Sequence, residues 1–187
     1  MDIAVAAINA LRGRPLDSPL WGPAIKLPPV PQLDERMASI EARRLQLLEP
    51  STREFAQGIL VWARSQGIPA ILGETHRTQE EQDRHIEEGR SAIKEGSFGW
   101  HQVGRAFHLI VRKGKGLNHE AYPILGAEVR RRGGEWLGDV PIRTKAGLVT
   151  DLAHFEFHPG ITLSEYRKSP LAKKELALAE KRVARFG

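Results

Sequence analysis

The chain has no cysteine among its 187 residues. Without thiols no disulfide can staple the fold, and a metal site would have to be built from His, Asp or Glu. The absence fits reducing and oxidising compartments alike, so it does not locate the protein. No apolar run is long enough to span a bilayer. The opening residues 1–11 are short and apolar, and lack the leading basic residues and full apolar core of a secretory signal. The expectation is a protein with no membrane span and no signal peptide. Aromatic residues are scarce at 6%, and no reader motif or aromatic stacking pattern accompanies the basic residues, which argues against a nucleic-acid binder.

What is present is a basic chain, with a net charge of +5 and a pI near 9.7. Such a surface attracts polyanions: nucleic acid, acidic lipid, or the anionic polymers of a bacterial wall. The length suits one domain with extensions and a core that needs no staples. Residues 1–33 carry Pro15, Pro19, Pro23, Pro28, Pro29 and Pro31, a density that favours an extended arm. Residues 34–163 read as the folded domain. Residues 164–187 read as a basic helical tail, with seven basic and three acidic side chains between 165 and 187.

Within the domain, periodicity predicts a helix over 33–48, ended by Pro50, and a second from Ser51 to about 65, with Ser51 as N-cap and Glu54 as its partner. A strand over 69–74 follows, then a helix capped by Thr78 and running to Glu88. Residues 90–100 read as loop. A strand is expected over 104–112, with Phe107, Leu109 and Val111 on one face and Ala106, His108 and Ile110 on the other. A helix over 119–132 ends in Arg130, Arg131 and Arg132, cations that the helix macrodipole favours there without any ligand. Residues 135–139 read as loop and 153–158 as a strand, with His154, Glu156 and His158 on one face.

Two stretches concentrate the chemistry. Residues 97–108 hold His101 and His108, with Gly104 and Ala106 between them, and residues 151–158 hold Asp151, His154, Glu156 and His158. A catalytic zinc takes three protein ligands and leaves one position open. His101, His108 and His154 supply three imidazoles, and Asp151, three residues before His154, is a carboxylate placed to exchange protons beside the metal. Glu156 lies on the same face as His154, as a supporting group or a rival base. Arg77, at a strand-to-helix junction, either points its fixed fork above the sheet edge or simply pairs with Glu80 or Glu81.

These residues carry a resemblance. The chain resembles the zinc D-Ala-D-Ala peptidase family, which includes D,D-dipeptidases, D,D-carboxypeptidases and phage L-alanyl-D-glutamate endopeptidases. The family pattern Ser-x-His-x-x-Gly-x-Ala-x-Asp is matched at His101, Gly104 and Ala106. Its Gly-Gly-x-Trp loop is matched at Gly133, Gly134 and Trp136, and its Asp/Glu-x-x-His-Phe-Glu at Asp151, His154, Phe155 and Glu156. An upstream Arg-Thr-x-x-x-Gln is matched at Arg77, Thr78 and Gln82. The resemblance covers roughly residues 50–160 and implies an α+β, Hedgehog-like fold: a small antiparallel sheet flanked by helices. It implies zinc held by His101 and His154, Asp151 as general base, and Arg77 orienting substrate and steadying charge on its carbonyl. Gln82, Trp136 and Glu156 are implied as substrate-binding or supporting residues.

The implied substrate is the stem peptide of peptidoglycan, cut at an L-alanyl-D-glutamate or D,D bond by a phage-type lytic endopeptidase. Such a protein would stay in the cytoplasm until released, or travel in a virion-like particle, and its extensions are offered as contacts with other phage or particle proteins. Two positions depart from the pattern. His108 stands where the family has its ligand aspartate, and Gly99 stands where it has serine, with Ser97 nearby. His108 either faces the metal, completing a three-histidine site, or swings away and leaves His158 or Glu156 to substitute. The alternative function is a catalytically impaired relative acting as a wall-binding or virion structural module.

Overall fold

The computed structural model describes residues 34–94, 96–145 and 147–187. The expected N-terminal arm lies outside the described residues. Two helices open the described chain, α1 (Glu35–Leu47) and α2 (Pro50–Ser65). Asp34 caps α1 by accepting from the Met37 N–H at 2.7 Å. The cap of α2 is Glu49 rather than Ser51. Its carboxylate accepts from the N–H groups of Ser51 and Thr52, so Pro50 begins the helix at a position where its missing donor costs nothing. Buried Glu41 fastens both helices to the sheet: it pairs with Arg64 at 2.5 Å and accepts from the Leu72 N–H.

Strand β1 (Ile71–Leu72) leads into α3 (Gln79–Glu87), whose N-terminus is closed by the reciprocal Thr78–Glu81 capping box. A single helical turn, α4 (Trp100–Val103), precedes β2 (Ala106–Ile110). The segment before β2, read from the sequence as loop up to residue 100, thus closes in a turn of helix that carries His101. Gly104 ends it with φ at +74°, and a Cβ there would lie 2.9 Å from both Glu49 N and Leu47 O. Only glycine suits this corner, both for its left-handed backbone and for the close approach of the α1–α2 junction.

A hairpin, β3 (Arg112–Lys113) and β4 (Gly116–Leu117), leads to α5 (Ala121–Arg131). Strand β5 (Glu135–Trp136), a second hairpin of β6 (Ile142–Thr144) and β7 (Gly147–Val149), and β8 (His154–Glu156) complete the strands. The central sheet has the order β1-β2-β8-β5, with every neighbouring pair antiparallel. This is the α+β architecture expected.

One face of the sheet buries Phe107, Leu109 and Phe155 against α2 and α5. Phe107 and Phe155 pair across the strands, with ring centroids 5.9 Å apart. Because side chains alternate along a strand, that inward placement turns His108 and His154 to the opposite face. There α4 covers them, supported by a second apolar cluster of Trp100, Val103, Ala106, Tyr166 and Ala172.

Helices α6 (Leu163–Lys168) and α7 (Pro170–Phe186) close the chain. Helix α7 buries Ala172 and Ala179, and its Arg182 donates to the carbonyls of Leu47 and Val103, both at 3.1 Å. Glu175 on the same helix accepts both arms of the Arg105 fork at 2.9 Å and the Tyr166 hydroxyl at 2.6 Å. The C-terminal helix therefore braces α4 from behind. None of the helices among the described residues is long and apolar enough to cross a membrane.

Candidate metal centre

His108 and His154 are direct partners across the β2–β8 pair, and His108 Nε2 lies 3.4 Å from His154 Nδ1. His101, carried by α4, completes the group. Its ring centroid is 4.9 Å from each of the other two, with both contacts edge-on. The ligand-type nitrogens of the three histidines all lie within 4.8 Å of one another.

The environment of His101 decides what this group can be. The residue is 4% exposed, and neither ring nitrogen has a hydrogen-bond partner. A buried polar group left without a partner costs about 1–3 kcal/mol, and native folds rarely carry one without a reason. Burial, then the neighbouring His154 and His108 rings, hold its pKa well below imidazole's ordinary value, so it stays neutral. A neutral imidazole with a free lone pair is the form that binds a metal. The spacing also suits one: two nitrogens about 2.05 Å from a tetrahedral zinc stand roughly 3.3 Å apart, close to the 3.4 Å between His108 and His154.

His154 is oriented by the group behind it. Its Nε2 donates to Glu156 Oε1 at 2.8 Å, which leaves Nδ1 as the lone-pair nitrogen facing the site. Glu156 in turn receives His158 Nε2 at 2.8 Å, and His158 Nδ1 reaches the Ile161 carbonyl at 2.9 Å. The His158 ring stacks on Trp100 with centroids 4.3 Å apart. Burial pushes the Glu156 carboxyl up, but the two histidines outweigh it and hold it below the usual range. Burial lowers His158, and its bond to Glu156 more than reverses that. Both residues are thus engaged with each other, and His108 faces the site itself, so neither is called on to substitute for it. Glu135, Glu156 and His158 form another group of ligand-type side chains, whose members already meet one another at 2.8 and 3.8 Å.

Asp151 sits at the turn before β8. One oxygen accepts from the Ala153 N–H at 3.2 Å, and the other lies 3.5 Å from His108 Nε2 and 3.9 Å from His154 Nδ1. Burial raises its pKa, but the neighbouring His108, then His154 and the Ala153 N–H, bring it below the ordinary carboxylate value.

Arg77 is 9% exposed and held by three hydrogen bonds: two to Glu74 at 2.6 and 2.8 Å and one to Gln82 at 3.0 Å. It pairs with neither Glu80 nor Glu81. Gln82 is fully buried behind it and donates on to Ser91. Trp136 is placed elsewhere: its indole packs in the main core and donates to the Leu152 carbonyl at 2.8 Å. It steadies the turn that carries Asp151 rather than facing the histidines. Glu74, which touches both Arg77 and His108 Nδ1, was not singled out by any motif. Its only sequence signal is a carboxylate at the end of a strand, three residues before the arginine.

No family model matches the chain. Over 97 residues it is 32% identical to the L-alanyl-D-glutamate peptidase of Listeria phage A118, a stretch that is 49% of this chain and 34% of that protein. The chain therefore spans about a third of that relative's length. Its fold is similar to that in the crystal structure of the L-Ala D-Glu endopeptidase ChiX of Serratia marcescens. That match has a TM-score of 0.51 at 18% identity, covering 68% of this chain and 96% of ChiX. Sequence and fold together bear out the resemblance to the zinc D-Ala-D-Ala peptidase family.

Proposed function

We propose that this protein is a zinc-dependent peptidase that hydrolyses the L-alanyl-D-glutamate bond in the stem peptide of bacterial peptidoglycan, in the manner of a phage-type lytic endopeptidase. The observation that carries the metal reading is His101: a buried, neutral imidazole with both nitrogens unsatisfied, edge-on to two further histidines. The choice of bond rests on the names of the two similar proteins.

His101, His108 and His154 would hold the ion, and imidazole nitrogens suit zinc. Zinc, when bound, supplies Lewis-acid activation of water and of a peptide carbonyl at neutral pH. Asp151 is the proton acceptor: it stays ionised, it is 36% exposed at the side chain, and it borders the histidines. It takes a proton from the attacking water and returns one to the departing amine. Arg77, fixed by Glu74 and Gln82, presents a permanent positive charge beside this group, suited to orient a substrate carbonyl or carboxylate. The basic surface favours contact with an anionic wall.

The test is digestion of purified peptidoglycan, followed by the drop in turbidity and by identification of the released peptides. The expected result is a new amino-terminal D-glutamyl residue, abolished by a chelator and restored by zinc. A second reading, an impaired relative that only binds the wall, is favoured by a single feature, the imidazole of His108 in place of the family's aspartate. An inert native chain whose His108→Asp variant digests wall would establish that second reading. Failure of both proteins to bind metal would remove the metal centre altogether.

A further inference from the structure

Three imidazoles bring no negative charge to a dication, and Arg77 adds a positive one nearby. Each histidine can be asked what stands behind its outer nitrogen. Behind His154 is Glu156, at hydrogen-bond distance. Behind His101 there is no hydrogen-bond partner. Behind His108 is Glu74: its Oε2 lies 3.6 Å from His108 Nδ1, a charge contact just beyond hydrogen-bond range.

The backbone fixes this proximity. Gly73 N donates to the His108 carbonyl and His108 N donates to the Glu74 carbonyl, both at 2.8 Å, continuing the β1–β2 ladder. A Cβ on Gly73 would lie 3.1 Å from His108 Cβ, so the two chains are in close contact here. The same Glu74 oxygen also takes Arg77 Nη2 at 2.8 Å. Glu74 therefore cannot turn toward solvent without giving up the arginine.

We propose that Glu74 is the positioning residue of the metal centre. It fixes the His108 ring proton on Nδ1, frees Nε2 for the ion, and supplies from outside the coordination sphere the negative charge that His108 does not. The inference rests on the metal reading proposed above. The site-facing nitrogen of His108 is Nε2, which lies 3.4 Å from His154 Nδ1. Binding an ion through it requires the ring's single neutral-state proton to sit on Nδ1, and Glu74 is the carboxylate that meets it there. Because Glu74 also holds Arg77 by two bonds, one side chain sets the orientation of both a ligand and the substrate-facing cation.

The test is a cycle of zinc affinities, measured by competition with a chromophoric chelator, in the full chain, Glu74→Gln, His108→Asp and the double variant. Losing a carboxylate that orients a ligating histidine typically weakens metal binding roughly 10–100-fold. That loss is expected for Glu74→Gln in the native background, falling to within about threefold in the His108→Asp background, which has no imidazole to orient. An equal loss in both backgrounds, or none in either, overturns the proposal. If Glu74→Gln does not fold, nitrogen-15 NMR of metal-free native protein decides the matter. A His108 proton on Nδ1 is expected, and a ring protonated on Nε2 overturns the assignment. A native chain that binds no zinc overturns the metal reading along with this one. A native chain that holds zinc, with an affinity that Glu74→Gln leaves unchanged, overturns this one alone.

Discussion

His108 and His154 stand directly opposite each other across two antiparallel strands, with facing nitrogens 3.4 Å apart. The pairing makes two of the three candidate ligands a property of sheet register. A slip of one residue would turn the slipped strand's histidine into the phenylalanine core, so the residues that set the register also set the site. Phe107 and Phe155, paired on the buried face, are such residues. Phe155→Ala is expected to cost about 3–5 kcal/mol and to lower zinc affinity, although it touches no candidate ligand. Denaturant unfolding and a zinc titration on the same sample check both effects. Native zinc affinity in a destabilised variant would show that the site does not depend on this packing.

His101 makes an opposite demand on stability. Its buried nitrogens have no partner, so the metal-free fold carries their cost until an ion takes one of them. His101→Ala is expected to leave the metal-free melting temperature unchanged or raised, and to abolish the increase that zinc gives the native protein. Thermal melts with and without zinc measure both. A variant still stabilised by zinc as the native chain is would show that His101 is not a ligand.

Much of this centre is legible in the sequence. His101, His108, His154 and Asp151 lie in two short stretches, and strand alternation alone puts His108 and His154 on the face opposite the phenylalanines. Other features escaped for physical reasons. The helical turn that carries His101 is four residues long, too short for periodicity to register. The β3–β4 and β6–β7 hairpins have strands of two or three residues, too short to show alternation. Glu49 displaced Ser51 as a cap because its longer carboxylate, two residues earlier, reaches the N–H groups of Ser51 and Thr52. Trp136 matches a motif yet faces the core, because Gly126 and Gly138 leave its ring room: a Cβ at either would lie 2.1 Å from it. Glu74 belongs to the site through a strand pairing, which no local pattern encodes.

Gly104 tests the brace behind α4. With its left-handed backbone and two backbone atoms 2.9 Å from a would-be Cβ, Gly104→Ala is expected to cost more than about 1 kcal/mol. Because this corner anchors the turn that carries His101, zinc affinity should fall as well. Chemical denaturation and chelator competition read the two effects. Unchanged stability would mean that the corner yields freely.

The Arg105–Glu175 pair gives the fold a dependence on pH at a distance from the histidines. Burial pushes the Glu175 carboxyl up, but the Arg105 fork and the Tyr166 hydroxyl more than offset this and hold it below the ordinary value. A carboxyl depressed in the folded state contributes stability above its unfolded pKa and loses it as pH falls through the folded one. The contribution is therefore complete above about pH 5 and fades below about pH 4. Glu175→Gln leaves Arg105 without its counter-charge and is expected to cost ~3 kcal/mol at neutral pH. The gap between native and variant melting temperatures should narrow from pH 7 to pH 3.5. A gap of constant size would mean that the pair's charge contributes nothing.

Asp151→Asn separates chemistry from metal binding. The carboxylate reaches the site with one oxygen while the other is spent on the Ala153 N–H, so the amide can keep the turn but cannot accept a proton. Wall digestion is expected to fall about 10²–10⁴-fold, the range for loss of a positioned acid–base group. Zinc content should stay at the native level, because the three histidines are untouched. Peptide release measured beside metal content on one preparation resolves the two. If activity and zinc vanish together, Asp151 is itself a ligand and the proton acceptor must be sought elsewhere. Glu156 is already committed to His154 and His158, and Glu74 to Arg77, so retention of full activity by Asp151→Asn would leave the proposed mechanism without a proton acceptor.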